Sequence, residues 1–305
     1  MGKFLKSIFT FTAIMCFMAS FAFAAPKDEL DALYKDMNKV NNGKINIEVN
    51  GKFMEDVFNG VVTLKFESKP SALIRGETKF TVYDNGDMKK AKNTAYEFYV
   101  EDEGKAYTYY YTEKGKNKWF KDTVSNDDKK AEKDAAESVM SNLDPNVLGD
   151  LTTKVDYDTS YTGQAGKANT VGYKVSVDVP KFMEIFSAIA LEKATKEDAE
   201  KIKMAQEIGK DLPNIDYTVI GDTKKREVTG FVLPLTPFIQ GSGAAIAKNA
   251  KLDAMTKAIA VMMFSGAELD IKGVGTDYNK VKVEKLPDNI KKSAKQVENK
   301  KANKK

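Results

Sequence analysis

The sequence predicts an α+β fold in which a curved antiparallel sheet is folded over apolar helices. Three observations carry that reading. Short runs of alternating hydrophobicity are joined by tight-turn signals, which makes an antiparallel meander and not a parallel sheet. Apolar residues recur at three and four in the first mature segment and again in the second half. Two helical segments, Phe182 to Leu191 and Ala258 to Phe264, are apolar around most of their circumference and need cover on nearly all sides.

In chain order, Asp28 to Val40 reads as an amphipathic helix, with Leu30, Leu33, Met37 and Val40 on one stripe and Asn41-Asn42-Gly43 ending it. Ile45, Ile47 and Val49 alternate as a strand, and Asn50-Gly51 reads as a hairpin turn. Val62, Leu64 and Phe66 mark the next strand, then Phe80 and Val82 after Arg75-Gly76, then a turn at Asp84-Asn85-Gly86. Tyr96, Phe98 and Val100 alternate, Glu103-Gly104 turns the chain, and Tyr107, Tyr109 and Tyr111 share one face of a further strand. Gly115 leads into Lys118-Trp119-Phe120. A helix over about Asp127 to Asn142 is opened by Ser125-x-x-Asp128, which resembles a capping box, and closed by Asp144-Pro145.

The second half keeps the style with more helix. Val155 to Tyr161 and Thr170 to Val179 read as strands around a loop holding Gly163 and Gly166. Pro180 suits the first turn of the apolar helix, and Thr195-x-x-Asp198 caps a charged one ending at Gly209. Strands over Ile215 to Ile220 and Glu227 to Leu235 flank the turn 221–225. Gly241-Ser242-Gly243 reads as linker, and a helix runs from about Ala244 to Phe264. Ala267 to Val274 and Lys280 to Leu286 form a last strand pair, followed by a short basic helix from Pro287.

The first 24 residues read as an export signal. Lys3 and Lys6 precede the apolar run Ile8 to Phe23, which ends in Ala22-Phe23-Ala24, a small-x-small cleavage pattern. Cys16 is a poor lipid-attachment site, because Met15 before it is too large and apolar sequence continues beyond it; cleavage after Ala24 is the favoured reading. The expected organisation is signal peptide 1–24, one domain over 25–290 and a Lys-rich tail over 291–305, with the product soluble in the periplasm or cell envelope.

Composition narrows the chemistry. The chain has no histidine, and its one cysteine, Cys16, lies in the signal. That removes the usual base near neutral pH, the thiol nucleophile and the soft metal ligands. The 48 basic and 44 acidic residues become 46 and 44 once Lys3 and Lys6 are removed, a weak net charge of about +2. Arg75 and Arg226 are the only arginines, which argues against nucleic acid as a partner. Gly241-Ser242-Gly243 is not a nucleophile elbow. Glu101-Asp102-Glu103 sits at an expected turn, and Asp84-Asn85-Gly86-Asp87 lacks the ligands of a calcium loop. No enzyme, metal or cofactor is expected.

What remains is apolar surface. A bent sheet over greasy helices leaves either a packed core or a cavity, and both stay open at this point. Met183, Met255, Met262 and Met263 suit a surface that accepts varied apolar shapes. The candidate cavity residues are Phe182, Met183, Phe186 and Ile189 on one helix and Met255, Ile259, Met262 and Met263 on the other, with Phe98, Tyr109 and Phe231 from the strands.

The order of elements resembles the LolA/LolB/LppX-like superfamily of envelope lipid and lipoprotein carriers. The resemblance lies in "DELDALYKDMNKVNNGKINIEVNG", "KAYTYYYTEKGKNKWFKDT", "IDYTVIGDTKKREVTGFVLPL" and "YNKVKVEKLPDNIKKSA". It implies an open half-barrel of antiparallel strands, helices plugging the concave side, and acyl chains held between them. The lipobox cysteine common in LolB- and LppX-like members is missing. The expected function is therefore an exported, non-catalytic, monomeric carrier of a lipid or acylated protein, touching a membrane surface transiently. The alternative is a structural envelope protein whose core is filled by its own side chains.

Overall fold

The computed structural model describes residues 26–69, 71–83, 87, 90–102, 106–125, 151–161, 169–192 and 194–297. The signal segment 1–24, the helix expected over 127–142, Gly163 and Gly166, the turn residues 84–86 and 103–104 and the end of the Lys-rich tail lie outside them. The fold class is the expected one: α+β, with open, curved, mostly antiparallel sheet. The described chain falls into two compact units, 40–125 with 266–297 and 26–39 with 151–265.

The first unit is a meander. Strands β1 (Asn42–Phe53), β2 (Asp56–Glu67), β3 (Leu73–Tyr83), β4 (Ala91–Asp102), β5 (Ala106–Glu113) and β6 (Phe120–Ser125) pair in sequence order. β11 (Glu268–Thr276) pairs antiparallel with β1, and the two-residue β12 (Lys295–Gln296) runs parallel to β6. The Asn50-Gly51 turn expected from sequence is not there. Both residues lie inside β1, opposite Asn59 and Phe58, and the chain reverses after Phe53, where Met54 takes φ 56°.

The reason Gly51 is a glycine is steric. The Phe58 ring lies over it, and a Cβ there would come within 2.2 Å of Phe58 Cζ. The same pairing recurs across the sheet. Gly60 faces Phe80 and Gly76 faces Phe98, each with a Cβ position 2.3 Å from the ring, and Gly43 faces Phe66. An aromatic ring laid over a cross-strand glycine covers the backbone and lets the sheet bend closely there.

A second departure is the segment 281–287. The sequence predicts a strand over Lys280 to Leu286, but no strand forms there. Its amides are met by side chains instead: Val281 N–H donates to Asn42 Oδ1 (2.8 Å), Val283 N–H to Glu67 Oε2 (3.3 Å) and Leu286 N–H to Glu101 Oε1 (3.1 Å). Buried backbone donors need partners, and carboxylates serve as well as a neighbouring strand. Val283 and Leu286 are buried, and Leu286 joins Tyr99, Tyr110 and Ala294 in a small core flanked by Trp119 and Ile290. The short helix after Pro287, α6 (Asp288–Ser293), is the one expected.

The second unit begins with α1 (Lys27–Met37), which buries Leu30 and Leu33 and lies on β10 (Glu227–Pro234). β7 (Thr152–Asp158), β8 (Thr170–Val177) and β9 (Ile215–Asp222) continue in the order β10-β9-β8-β7. Between them lie α2 (Val179–Glu192) and α3 (Lys196–Gly209); Thr195 caps α3 by accepting from Asp198 N–H at 3.2 Å, as its sequence predicts.

The single helix expected from Ala244 to Phe264 is two helices. They are α4 (Thr236–Lys248) and α5 (Ala254–Phe264), and Asp253 caps the second by accepting from Thr256 N–H. Gly241-Ser242-Gly243, expected to be linker, sits inside α4. Gly243 lets α5 approach: a Cβ there would lie 2.6 Å from Phe264 Cβ and 3.3 Å from the Ala260 carbonyl oxygen. Helix propensity gives way to close packing of α4 on α5.

Candidate functional site

The apolar helices show where the second unit leaves greasy surface uncovered. α5 carries one charged residue, Lys257, and no acid. Met255, Ile259 and Met262 stand at spacings of four and three, so they form one stripe along it. Their exposures are 73%, 40% and 61%. Complete cover, expected from so apolar a helix, is not what the fold provides. Its partner α4 meets Ala260 and Phe264, and the opposite stripe is left bare.

The remaining candidate residues have varied surroundings. On α2, Phe182 stacks on Phe186 with ring centroids 6.0 Å apart and planes 16° apart, and Phe186 is 42% exposed. Met183 packs on Gly209 of α3. Ile189 lies on α2, with its side chain outside the described atoms. Met263 is half-buried. Phe231 is half-buried on β10, opposite Val219 of β9. Phe98 and Tyr109 belong to the other unit: Phe98 is buried over Gly76, and Tyr109 pairs with Val100 and Asp122.

The second unit also contains a cleft that the sequence reading did not single out. It has a volume of about 600 Å³ and is lined by Glu29, Ala32 and Leu33 of α1, Tyr157 of β7, Val171 and Tyr173 of β8, and Thr223 and Arg226 of the β9–β10 turn. Glu29, Ala32, Leu33 and Asp36 follow one another at helical spacing, so a single face of α1 forms one wall. Tyr173 is fully buried as the floor, and its hydroxyl donates to Glu29 Oε2 at 3.2 Å. Tyr157 is tilted on Tyr173 with centroids 6.0 Å apart and lines the cleft beside Glu29. Burial first, and the Glu29 charge second, push the Tyr173 phenol well up from its ordinary value, and the neighbouring Glu29 carboxylate raises that of Tyr157.

At the other end, Arg226 Nε meets Asp36 Oδ2 at 2.6 Å. The Asp36 carboxyl is held below its ordinary range, chiefly by the Lys39 hydrogen bond and then by Arg226 and its lysine neighbours against an opposing desolvation. Arg226 takes φ 57°, a left-handed conformation that costs a non-glycine residue about 1–3 kcal/mol. The turn is tied down by Asp222 Oδ1, which accepts from Lys224 N–H and Lys225 N–H. The cleft thus has an acidic end, an apolar middle and a basic end. Its signal in the sequence is faint: two tyrosines on adjacent strands and one of only two arginines, brought together by pairings that local pattern does not reveal.

No protein-family model matches the chain, and no curated protein matches it. Among solved structures it is similar to LprF from Mycobacterium bovis, at 11% identity and a TM-score of 0.33, over 85% of this chain and 97% of that one. A likeness that loose fixes neither family nor function. Among the described residues, no group of three acidic, histidine or cysteine side chains could hold a metal ion, and no helix is long and apolar enough to cross a membrane.

Proposed function

We propose that the chain is an exported, non-catalytic binding protein for an acyl chain or the lipid part of an acylated protein. One observation carries this reading: the bare stripe of Met255, Ile259 and Met262 along α5. Fully burying a side chain of this kind is worth about 1.5–3 kcal/mol, so an apolar ligand laid along the stripe gains affinity without any polar anchor. Methionines dominate it, and their flexible thioethers fit chains of varied length and unsaturation. The stacked pair Phe182 and Phe186 on α2, with Phe186 exposed, adds further apolar surface to the same unit. The absence of histidine and of any cysteine beyond Cys16 agrees with holding and not transforming a ligand. The signal-like segment 1–24 supports export to the periplasm or envelope.

Native mass spectrometry of gently purified protein tests this. The expected spectrum contains the chain with a bound lipid mass, or gains that mass on adding oleate. A bare chain under both conditions contradicts the reading.

A further inference from the structure

We propose that the cleft between α1 and the β7–β8 strands is a second, separate site, and that it takes a short zwitterionic peptide. The ligand's ammonium would sit at Glu29, its carboxylate at Arg226, and its apolar side chains over Ala32 and Leu33. This does not rest on the lipid-binding reading, which concerns another surface of the same unit.

The geometry selects the ligand's length. Glu29 and Asp36 are seven residues apart on α1, about 10 Å at the helical rise of 1.5 Å per residue. Asp36 stands 2.6 Å from Arg226 Nε, so the two charged ends of the cleft stand about that far apart. An extended chain covers about 3.3–3.6 Å per residue, so three residues span the same distance. A single amino acid, with its charges only one residue apart, cannot reach both ends. The volume of about 600 Å³ falls in the usual range for small ligands, roughly 300–1,000 Å³.

The chemistry at each end fits its group. Glu29 is already oriented by the buried Tyr173 hydroxyl, which donates to its Oε2 at 3.2 Å. That donor fixes the carboxylate, and the Tyr157 ring on the same cleft wall offers an aromatic face to a cation. Asp36 Oδ2 lies 2.6 Å from Arg226 Nε as an ion pair, and among the described residues the Nη groups have no ion-pair partner. The Nη edge of a guanidinium suits a carboxylate, which it can meet with two parallel N–H donors. The middle of the cleft, Ala32, Leu33 and Val171, offers nothing to a polar side chain.

Calorimetric titration of the full chain with the tripeptide Ala-Val-Ala tests the site. Ala-Val-Ala with free termini is expected to bind saturably. Its acetylated form, its amidated form and free valine are each expected to bind at least tenfold more weakly. The variants give a crossed pattern. Glu29→Gln should lose the discrimination against the acetylated peptide and keep that against the amidated one; Arg226→Gln should do the reverse. A role in folding alone produces no such crossing. The proposal is overturned if wild type shows no saturable heat with the free tripeptide, if capped peptides or valine bind as tightly as the free one, or if the two variants fail to cross.

Discussion

At the scale of single residues, the most consequential side chains are ones that are missing. Gly51, Gly60 and Gly76 each lie beneath a phenylalanine of the next strand. We expect Gly60→Ala to cost about 1–3 kcal/mol, because the Phe80 ring must leave its place. Gly266→Ala has open space around its new methyl and should stay within about 0.5 kcal/mol of wild type. Urea midpoints of the two variants decide this, and equal midpoints would mean the rings yield freely. In the sequence, Gly51 after Asn50 looks like a hairpin turn signal. A mid-strand glycine and a turn glycine differ only in what stands across the sheet, which local pattern does not carry.

Tyr99 gives the residue scale a pH signature. Burial pushes its phenol up to about 12, with Arg75 opposing and Glu97 adding to the rise. A raised folded value favours the neutral form in the native state. That stability is complete below the unfolded value near 10 and is lost as pH climbs through the folded one. Chemical stability should therefore fall between about pH 10 and 12, and Tyr99→Phe should flatten part of that fall. An unchanged slope in the variant would remove Tyr99 from the account.

Among the elements, the C-terminal segment shows how a pattern can be read correctly and its structure misread. Val283 and Leu286, inside the strand expected over Lys280 to Leu286, are both buried, but a spacing of three would put them on opposite faces of a strand. Their amides go to Glu67 and Glu101, from strands far away in sequence, so the segment is a strap and not a strand. Glu101 is buried, accepts from Leu286 N–H and pairs with Lys291. Replacing Glu101→Ala leaves that donor and that cation without their acceptor, at about 1–3 kcal/mol. Amide exchange at Leu286 should accelerate accordingly; protection equal to wild type would show that the strap is held by apolar contacts alone. The single helix expected from Ala244 to Phe264 is two helices for a related reason. Asp253, which divides it, and Gly243, which lets its halves touch, make sense only once α4 and α5 are packed.

For the whole molecule, the α+β class, the open antiparallel sheet and the order of nearly all elements were legible, since alternation, helical period and caps are local signals. The degree of cover over each helix was not legible, because it depends on which elements fold back over which. Phe98 was marked as a cavity candidate by its strand alternation, yet it covers Gly76 within its own sheet. Met255, Ile259 and Met262 were marked by their apolar helix, and the fold leaves them bare. Chelation should leave the molecule untouched: the melting temperature in EDTA is expected to match that in buffer, and a drop of several degrees would reveal an all-oxygen calcium site.

The exposure of Met262 also changes what a truncation means. Removing an exposed side chain costs little stability whether or not a ligand binds there, so charge is the sharper probe. Titration of a fluorescent fatty acid into the full chain and into the double variant Ile259→Asp, Met262→Asp tests the central claim most directly. We predict saturable binding to wild type and at least tenfold weaker binding to the variant, with melting temperatures that agree. No binding to wild type, or equal binding to both, would contradict the account.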